Sequence, residues 1–348
     1  MVGIVNGKVL VTGHLGYVGT VLTPVLEQSG WQVTGADIDL YSACSVTALP
    51  NRPPCPIADF RDWPVEALGQ FDAIVHLAGL SNDPLGSLDP GLTHAINHQA
   101  VVDLARRARE GGVRRFVVAS SCSVYGGGGE QWLNETSATG PLTPYAQAKL
   151  DMEQSVRALC SPDFEVVIMR PGTVFGASPR LRFDLVTNNL IAWALSTGCI
   201  RLKSDGQAWR PLLHVRDLAR AISGLLEAPA DQVSGQVFNI GFNTLNLRVI
   251  DLAERLAMAM PEARLQVEGM ADSDQRSYRV DCSKLADLLD DWQPSAQPED
   301  VVDELSELFA QRPLTPEQFE GPDLARVAHL RERMERGEID RELRNVRP

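Results

Sequence analysis

The chain opens on a short apolar run, Lys8–Thr12, that stops at glycine. A helical spacing follows from Tyr17 to Gln28 and ends at Gly30. A second apolar run, Gln32–Ala36, then leads into Asp37. Strand, glycine-rich turn, helix, strand is a βαβ unit. Parallel strands need both faces covered, which suits continuous rather than alternating apolar runs. Ala73–Leu77, Arg115–Ser120 and Glu165–Met169 have that character, with helical segments such as Gly91–Arg109 and Tyr145–Leu159 between them. The alternation predicts an α/β fold built on a doubly wound parallel sheet.

After about Gly176 the pattern weakens. Helical segments (Leu185–Ser196, Val215–Glu227, Val249–Met260) mix with short strands (Gln236–Ile240, Arg264–Glu268). This predicts a first domain over 1–176 and a smaller α/β domain over 177–312, with segments near 210–242 returning to the first. A charged tail, 313–348, carries the helical run Asp323–Arg336, which reads as a surface-packed helix or an oligomer contact.

Composition narrows the classes. With 32 Lys+Arg against 45 Asp+Glu, the net charge is −13. Such a surface repels nucleic acid and anionic lipid on average, so neither is an expected partner. No apolar run approaches the roughly 18 residues that span a bilayer. The N-terminus lacks a basic segment followed by a long apolar one, so no signal peptide is expected. The six cysteines are scattered, with no metal-ligand spacing, which fits a reducing cytoplasm and no metal site.

The candidate chemistry begins at Thr12–Gly19, where Gly13, Gly16 and Gly19 are spaced GxxGxxG between strand and helix. One glycine permits the tight turn, another clears space for a pyrophosphate, and the third lets helix and strand pack closely. The helix N-terminus, with Tyr17 and Val18, offers N–H groups to the anion. Asp37, at the end of the next strand, suits the two hydroxyls of an adenosine ribose and repels a 2′-phosphate, so a Rossmann-type site for NAD is expected. Asp39 is a rival acid. Asp59, before Phe60, stands where a third strand should end and could accept the adenine amino group; it also reads as a helix cap.

Tyr145 and Lys149 lie one helical turn apart on one face. An ammonium nearby lowers a phenol's pKa and makes it a usable base. Upstream, Ser120–Gly126 ends a strand in small hydroxyl residues, where such sheets line their ligand crevice.

At this point the sequence resembles the extended short-chain dehydrogenase/reductases, specifically the nucleotide-sugar epimerases and dehydratases. The matching pieces are TGHLGYVG, Asp37, His76–Gly79, the SSCSVYG strand end, YAQAK and Arg170–Gly176. Asn188–Leu190, Arg210–Ala219 and Arg276–Asp281 follow in order, over about residues 8–310 but not the tail. The resemblance implies that Ser121, Tyr145 and Lys149 are catalytic. It implies that Leu77, Ala78 and Gly79 lie along the cofactor, with Asn97 in the following helix and Pro171 at the nicotinamide. Asn189, Arg210 and Arg276 would hold the nucleotide diphosphate of a sugar, with Ser81 and Ser123 also at the substrate. A homodimer through the helices carrying Tyr145 and Asn97 is implied as well.

Two departures matter. The 4,6-dehydratases carry Asp-Glu after the catalytic serine or threonine, where this chain has Cys122 and Ser123. Neither does carboxylate chemistry. Relatives that epimerise C3 and C5 place a cysteine where Ser123 stands, and strand alternation would turn Cys122 away from the sugar. The expected activity is an NAD-dependent nucleotide-sugar 4-epimerase working through a 4-keto sugar. The alternatives are a 4-keto-sugar reductase or dehydrogenase and a catalytically silent NAD-binding regulator.

Overall fold

The structure, a computed structural model, describes residues 6–49, 53, 55, 59–270 and 276–346. Six strands form one parallel sheet: β1 (Gly7–Thr12), β2 (Trp31–Ala36), β3 (Ala73–His76), β4 (Arg115–Ala119), β5 (Glu165–Pro171) and β6 (Gln236–Ile240). Their order is β6-β5-β4-β3-β1-β2. The chain leaves β1 toward β2 on one side and resumes at β3 on the other, so the crevice opens at the carboxyl ends of β1 and β3.

Continuous apolar strands follow from burial on both faces. Val9, Val11, Val75, Val117 and Val167 join one apolar cluster, with Leu22, Leu26, Leu218 and Ile222 from the helices Gly19–Gln28 and Val215–Glu227. The alternate positions Leu10, Ile74, Phe116, Val118 and Val166 join a second cluster. There they meet Val101, Leu104, Met152 and Val156 from the helices Ala100–Glu110 and Pro144–Arg157. Each such side chain contributes roughly 1.5–3 kcal/mol by leaving water.

Three small sheets lie outside the main one. Thr173–Phe175, Trp209–His214 and Asn246–Arg248 form the first. Cys199–Ser204 pairs with Arg264–Met270, and Gly127–Leu133 with Ser277–Val280. The strand Gln236–Ile240, read from sequence among the short strands after Gly176, is the edge of the main sheet beside β5. The strand expected to end at Asp59 falls on residues outside those described.

The tail is part of the core rather than an appendage. Leu314, Phe319 and Leu324 enter the first cluster, and Leu330, Ile339 and Leu343 the second. Its helix is Arg326–Glu335, shorter than the charged run, with Arg326, His329 and Leu330 turned inward. No helix among the described residues is long and apolar enough to cross a membrane.

Candidate active site

A cleft of about 780 Å³ runs from Asp37 and Asp59 at one end to Arg210 and Tyr278 at the other. Its first half is shaped by glycines. Gly13 has φ +75°, and a Cβ there would lie 2.7 Å from the Ala78 nitrogen. A Cβ on Gly19 would lie 2.5 Å from the His14 Cα. The turn can therefore close only with hydrogen at both positions. Among the described residues the Tyr17 and Val18 amides take no acceptor from the chain, while the Gly16 amide bonds the Gly13 carbonyl. Free donors, a helix start and cleared space fit a dinucleotide pyrophosphate. The Tyr17 hydroxyl donates to the Gly176 carbonyl at 2.8 Å, tying the loop to the far wall.

Asp37 borders the cleft and accepts from the Leu15 and Asp39 amides at 3.1 and 2.8 Å. Burial raises its pKa. The rival Asp39 also borders the cleft and is paired with Arg180 at 2.7 Å. Asp59 also borders the cleft, but as the cap of the turn Phe60–Asp62, accepting the Arg61 amide at 2.9 Å. Burial would raise its pKa; the clasping Arg61 and the nearby Arg344 more than offset that, holding it low. The cap reading thus describes its contacts.

Leu77, Ala78, Gly79, Phe60 and Pro171 all border the cleft, but Asn97 does not. Asn97 is fully buried in an irregular helical turn, Ala95–Gln99. Its side chain accepts from the Leu80 amide and donates to the Leu80 carbonyl, both at 2.9 Å. It pins the loop that borders the cleft from behind.

The second half holds the catalytic candidates. Thr143 caps the helix Pro144–Arg157 by accepting from the Ala146 amide at 3.1 Å, and proline at its start suits the first turn. Tyr145 and Lys149 therefore face the cleft one turn apart. The Lys149 Nζ is 5.9 Å from the Tyr145 ring centre and donates to the Ala119 carbonyl at 2.7 Å. Ser121, just past β4, borders the cleft near enough to Tyr145 to favour its ionised form, and accepts from the Ser123 amide at 3.1 Å.

The electrostatics differ from the expectation for a lowered tyrosine. Burial, reinforced by Asp83, pushes Tyr145 up to about 12, against the pull of Ser121, Arg182 and Arg276. Burial also pushes Lys149 down to about 8, with Glu153 opposing. The chain's own groups keep the phenol protonated. A positive nicotinamide ring is the further charge able to lower it.

At the far end Asn189, Arg210, Arg276, Ser81 and Ser123 all border the cleft. Asn189 donates to the Phe183 carbonyl at 2.8 Å. Arg276 is ion-paired with Asp83, and Arg210 donates to the Arg276 carbonyl. The Ser123 Oγ is buried and has no partner among the described residues. Cys122 points away, its Sγ donating to the Arg170 carbonyl at 3.1 Å, and burial raises its thiol. The cause is a 3₁₀ turn, Cys122–Tyr125, rather than strand alternation.

Sequence reading missed several residues. Glu153 and Arg170 form a buried double hydrogen bond at 2.7 and 2.9 Å beneath Lys149. Arg182, paired with Asp184 at 2.9 Å, and Arg326 from the tail also border the cleft. Glu153 continues the i, i+4 row of Tyr145 and Lys149 on the same helix and could have been found by that spacing, whereas Arg170 on β5, Arg182 on a loop and Arg326 on the tail carry no such mark. Outside the cleft, His94, His98 and Asp151 cluster, with the two rings hydrogen-bonded at 3.0 Å.

Fold and cleft define an NAD-binding α/β protein with a tyrosine–lysine centre, and the comparisons agree. Residues 9–241 match the NAD dependent epimerase/dehydratase family, and the chain belongs to it. NAD is its cofactor. The UDP-glucose 4-epimerase of Bacillus subtilis is 26% identical, over 68% of this chain and 77% of that protein. The solved structure of MoeE5 with UDP-glucose and NAD is 27% identical, with a TM-score of 0.71, over 88% of this chain and 99% of that one. TunA, described as an NAD-dependent NDP-hexosamine 5,6-dehydratase, shares the fold at 23% identity and a TM-score of 0.77, over 88% of this chain and 99% of that one.

Proposed function

We propose that the protein is an NAD-dependent nucleotide-sugar 4-epimerase that inverts C4 through a transient 4-keto sugar. The observation that carries this is Ser121, Tyr145 and Lys149 meeting at the junction of a dinucleotide cleft and an arginine-bearing one, with no carboxylate after Ser121. Bound NAD supplies reversible acceptance of a hydride. Tyr145 takes the proton from the sugar O4 as the hydride leaves C4, and returns it after the keto sugar has turned over in the cleft. Ser121, beside Tyr145, shares that proton. Lys149 holds positive charge beside the forming phenolate. The relatives act on UDP-sugars, and Arg210 and Arg276 have the fork geometry that suits a diphosphate.

Residues 1–176, with later segments returning, would carry NAD, and 177–312 the sugar nucleotide. A homodimer through the helices bearing Tyr145 and following Asn97 belongs to the same reading, and a light-scattering mass tests it. Among the described residues the six cysteines form no disulfide, which supports a cytoplasmic setting.

The test uses protein purified without added cofactor. Retained NAD, with C4-inverted product from one of a panel of UDP-, GDP-, ADP-, CDP- and dTDP-sugars and no net cofactor consumption, is the expected result. Consumption of added NADH with a keto sugar alone would replace it by the reductase reading. NAD binding with no redox change on any sugar would point to the silent regulator.

A further inference from the structure

The family match ends at residue 241, yet the tail reaches the cofactor half of the cleft. It is fastened to the turn after β2. Arg333 donates to the Leu40 carbonyl and Asn345 to the Ile38 carbonyl, both at 2.8 Å. Arg61 donates to the Glu342 carbonyl at 2.8 Å, and Arg344 pairs with Asp59 at 3.3 Å. Leu343 borders the cleft itself. The segment crosses beside the carboxylate expected to hold the adenosine ribose.

Arg326 is the charged residue it delivers. The guanidinium is buried at the cleft wall, 4.7 Å from the Tyr41 ring centre, with one nitrogen 3.3 Å from the Arg180 carbonyl oxygen. Two other guanidinium groups lie close, and each has its acid: Arg180 pairs with Asp39 at 2.7 Å and Arg182 with Asp184 at 2.9 Å. Among the described residues no carboxylate lies within ion-pair distance of Arg326. Three cations thus face two anions. Burial and the neighbouring Arg182 press the Arg326 pKa down, and Tyr41 and Asp184, the latter already paired with Arg182, only partly offset this. A buried cation without a counterion is destabilising unless an anion joins it. Its field reaches Tyr17 in the glycine loop as well as Tyr41. Arg326, Tyr17 and Val18 border the same cleft.

We propose that Arg326 is a phosphate ligand of the dinucleotide supplied from the C-terminal segment, which closes over the adenosine diphosphate half of the cofactor and retains it. The group recognised is the pyrophosphate, pinned between the helix-start amides on one side and Arg326 on the other. The proposal rests on the dinucleotide site and is independent of the sugar chemistry.

The test compares wild type, Arg326→Met and Arg326→Gln, with Arg336→Gln on the same helix as control. Cofactor carried through purification is measured after denaturation. Binding of ADP, adenosine and 2′,5′-ADP to stripped protein is measured by calorimetry. Both Arg326 variants should lose retained NAD and bind ADP about tenfold or more weakly, the loss expected for a charged hydrogen bond. Adenosine should bind as before, and the control should match wild type. Because an unmatched buried charge is removed, Arg326→Met should melt no lower than wild type when stripped, and lower when NAD is present. Equal weakening of ADP and adenosine, or unchanged ADP affinity with a lower melting point, would make Arg326 a structural residue and overturn the proposal. A loss confined to 2′,5′-ADP would overturn it in favour of a 2′-phosphate contact.

Discussion

Lys149→Met removes a buried ammonium and keeps an unbranched side chain of similar length. In the folded chain burial holds this lysine at about 8, against an ordinary value of 10.5. Between those values the unfolded chain keeps its proton while the folded chain has released it. Unfolding takes up a proton there, so wild-type stability rises with pH across the window. The slope is about 1.4 kcal/mol per pH unit, or about 3 kcal/mol in all. Below about pH 8 the full cost of the charged lysine is present. Tyr145, held at about 12, acts in the opposite sense above its ordinary value of 10, because the unfolded chain then ionises first. Cys44, pushed up to about 11 by burial, does the same from 9. Both contributions are common to the two proteins and cancel in their difference. Urea unfolding of NAD-stripped wild type and variant between about pH 7 and 10 gives that difference directly. It should shift toward wild type by about 2–3 kcal/mol, nearly all of it above about pH 8. A flat difference profile would show that the ammonium is not penalised, and the account of the cleft's electrostatics would fall.

Gly19→Ala should abolish NAD retention, because its Cβ would lie 2.5 Å from the His14 backbone; wild-type cofactor content in the purified variant would refute this. Asn97→Ala leaves the Leu80 amide and carbonyl unpaired, at about 1–3 kcal/mol each, and should lower both unfolding stability and NAD affinity. Undiminished NAD affinity would show that the loop needs no support from behind. Tyr145→Phe should retain NAD and give no C4-inverted product, seen by NMR of the sugar nucleotide. Arg276→Gln should raise KM for the sugar nucleotide about tenfold or more while leaving NAD content unchanged; an unchanged KM would remove it from the substrate site.

The sequence alone determined the parallel sheet, the glycine cradle, Asp37 and the tyrosine–lysine pair. These are local: a turn that needs missing side chains, an acid at a strand end, and two residues one helical turn apart are all written in consecutive positions. The burial of β1 on both faces was legible too, since a continuous apolar run ending at a glycine turn suits a strand covered on two sides, and Val11 and Leu10 do enter different clusters. What only the tertiary structure decided was how residues far apart share their partners. Asp39 is paired with Arg180, distant in sequence, while Asp37 is held by backbone amides. Asn97 braces the loop behind the cleft because its side chain meets both the amide and the carbonyl of Leu80. Glu153 continues the row of Tyr145 and Lys149, but its pairing with Arg170, and the passage of Arg326 from a charged tail into the cleft, leave no periodic trace. Spacing along a chain reports neighbours on one element. Burial, counter-charge and the pKa values that follow are set by elements that meet only once the chain is folded.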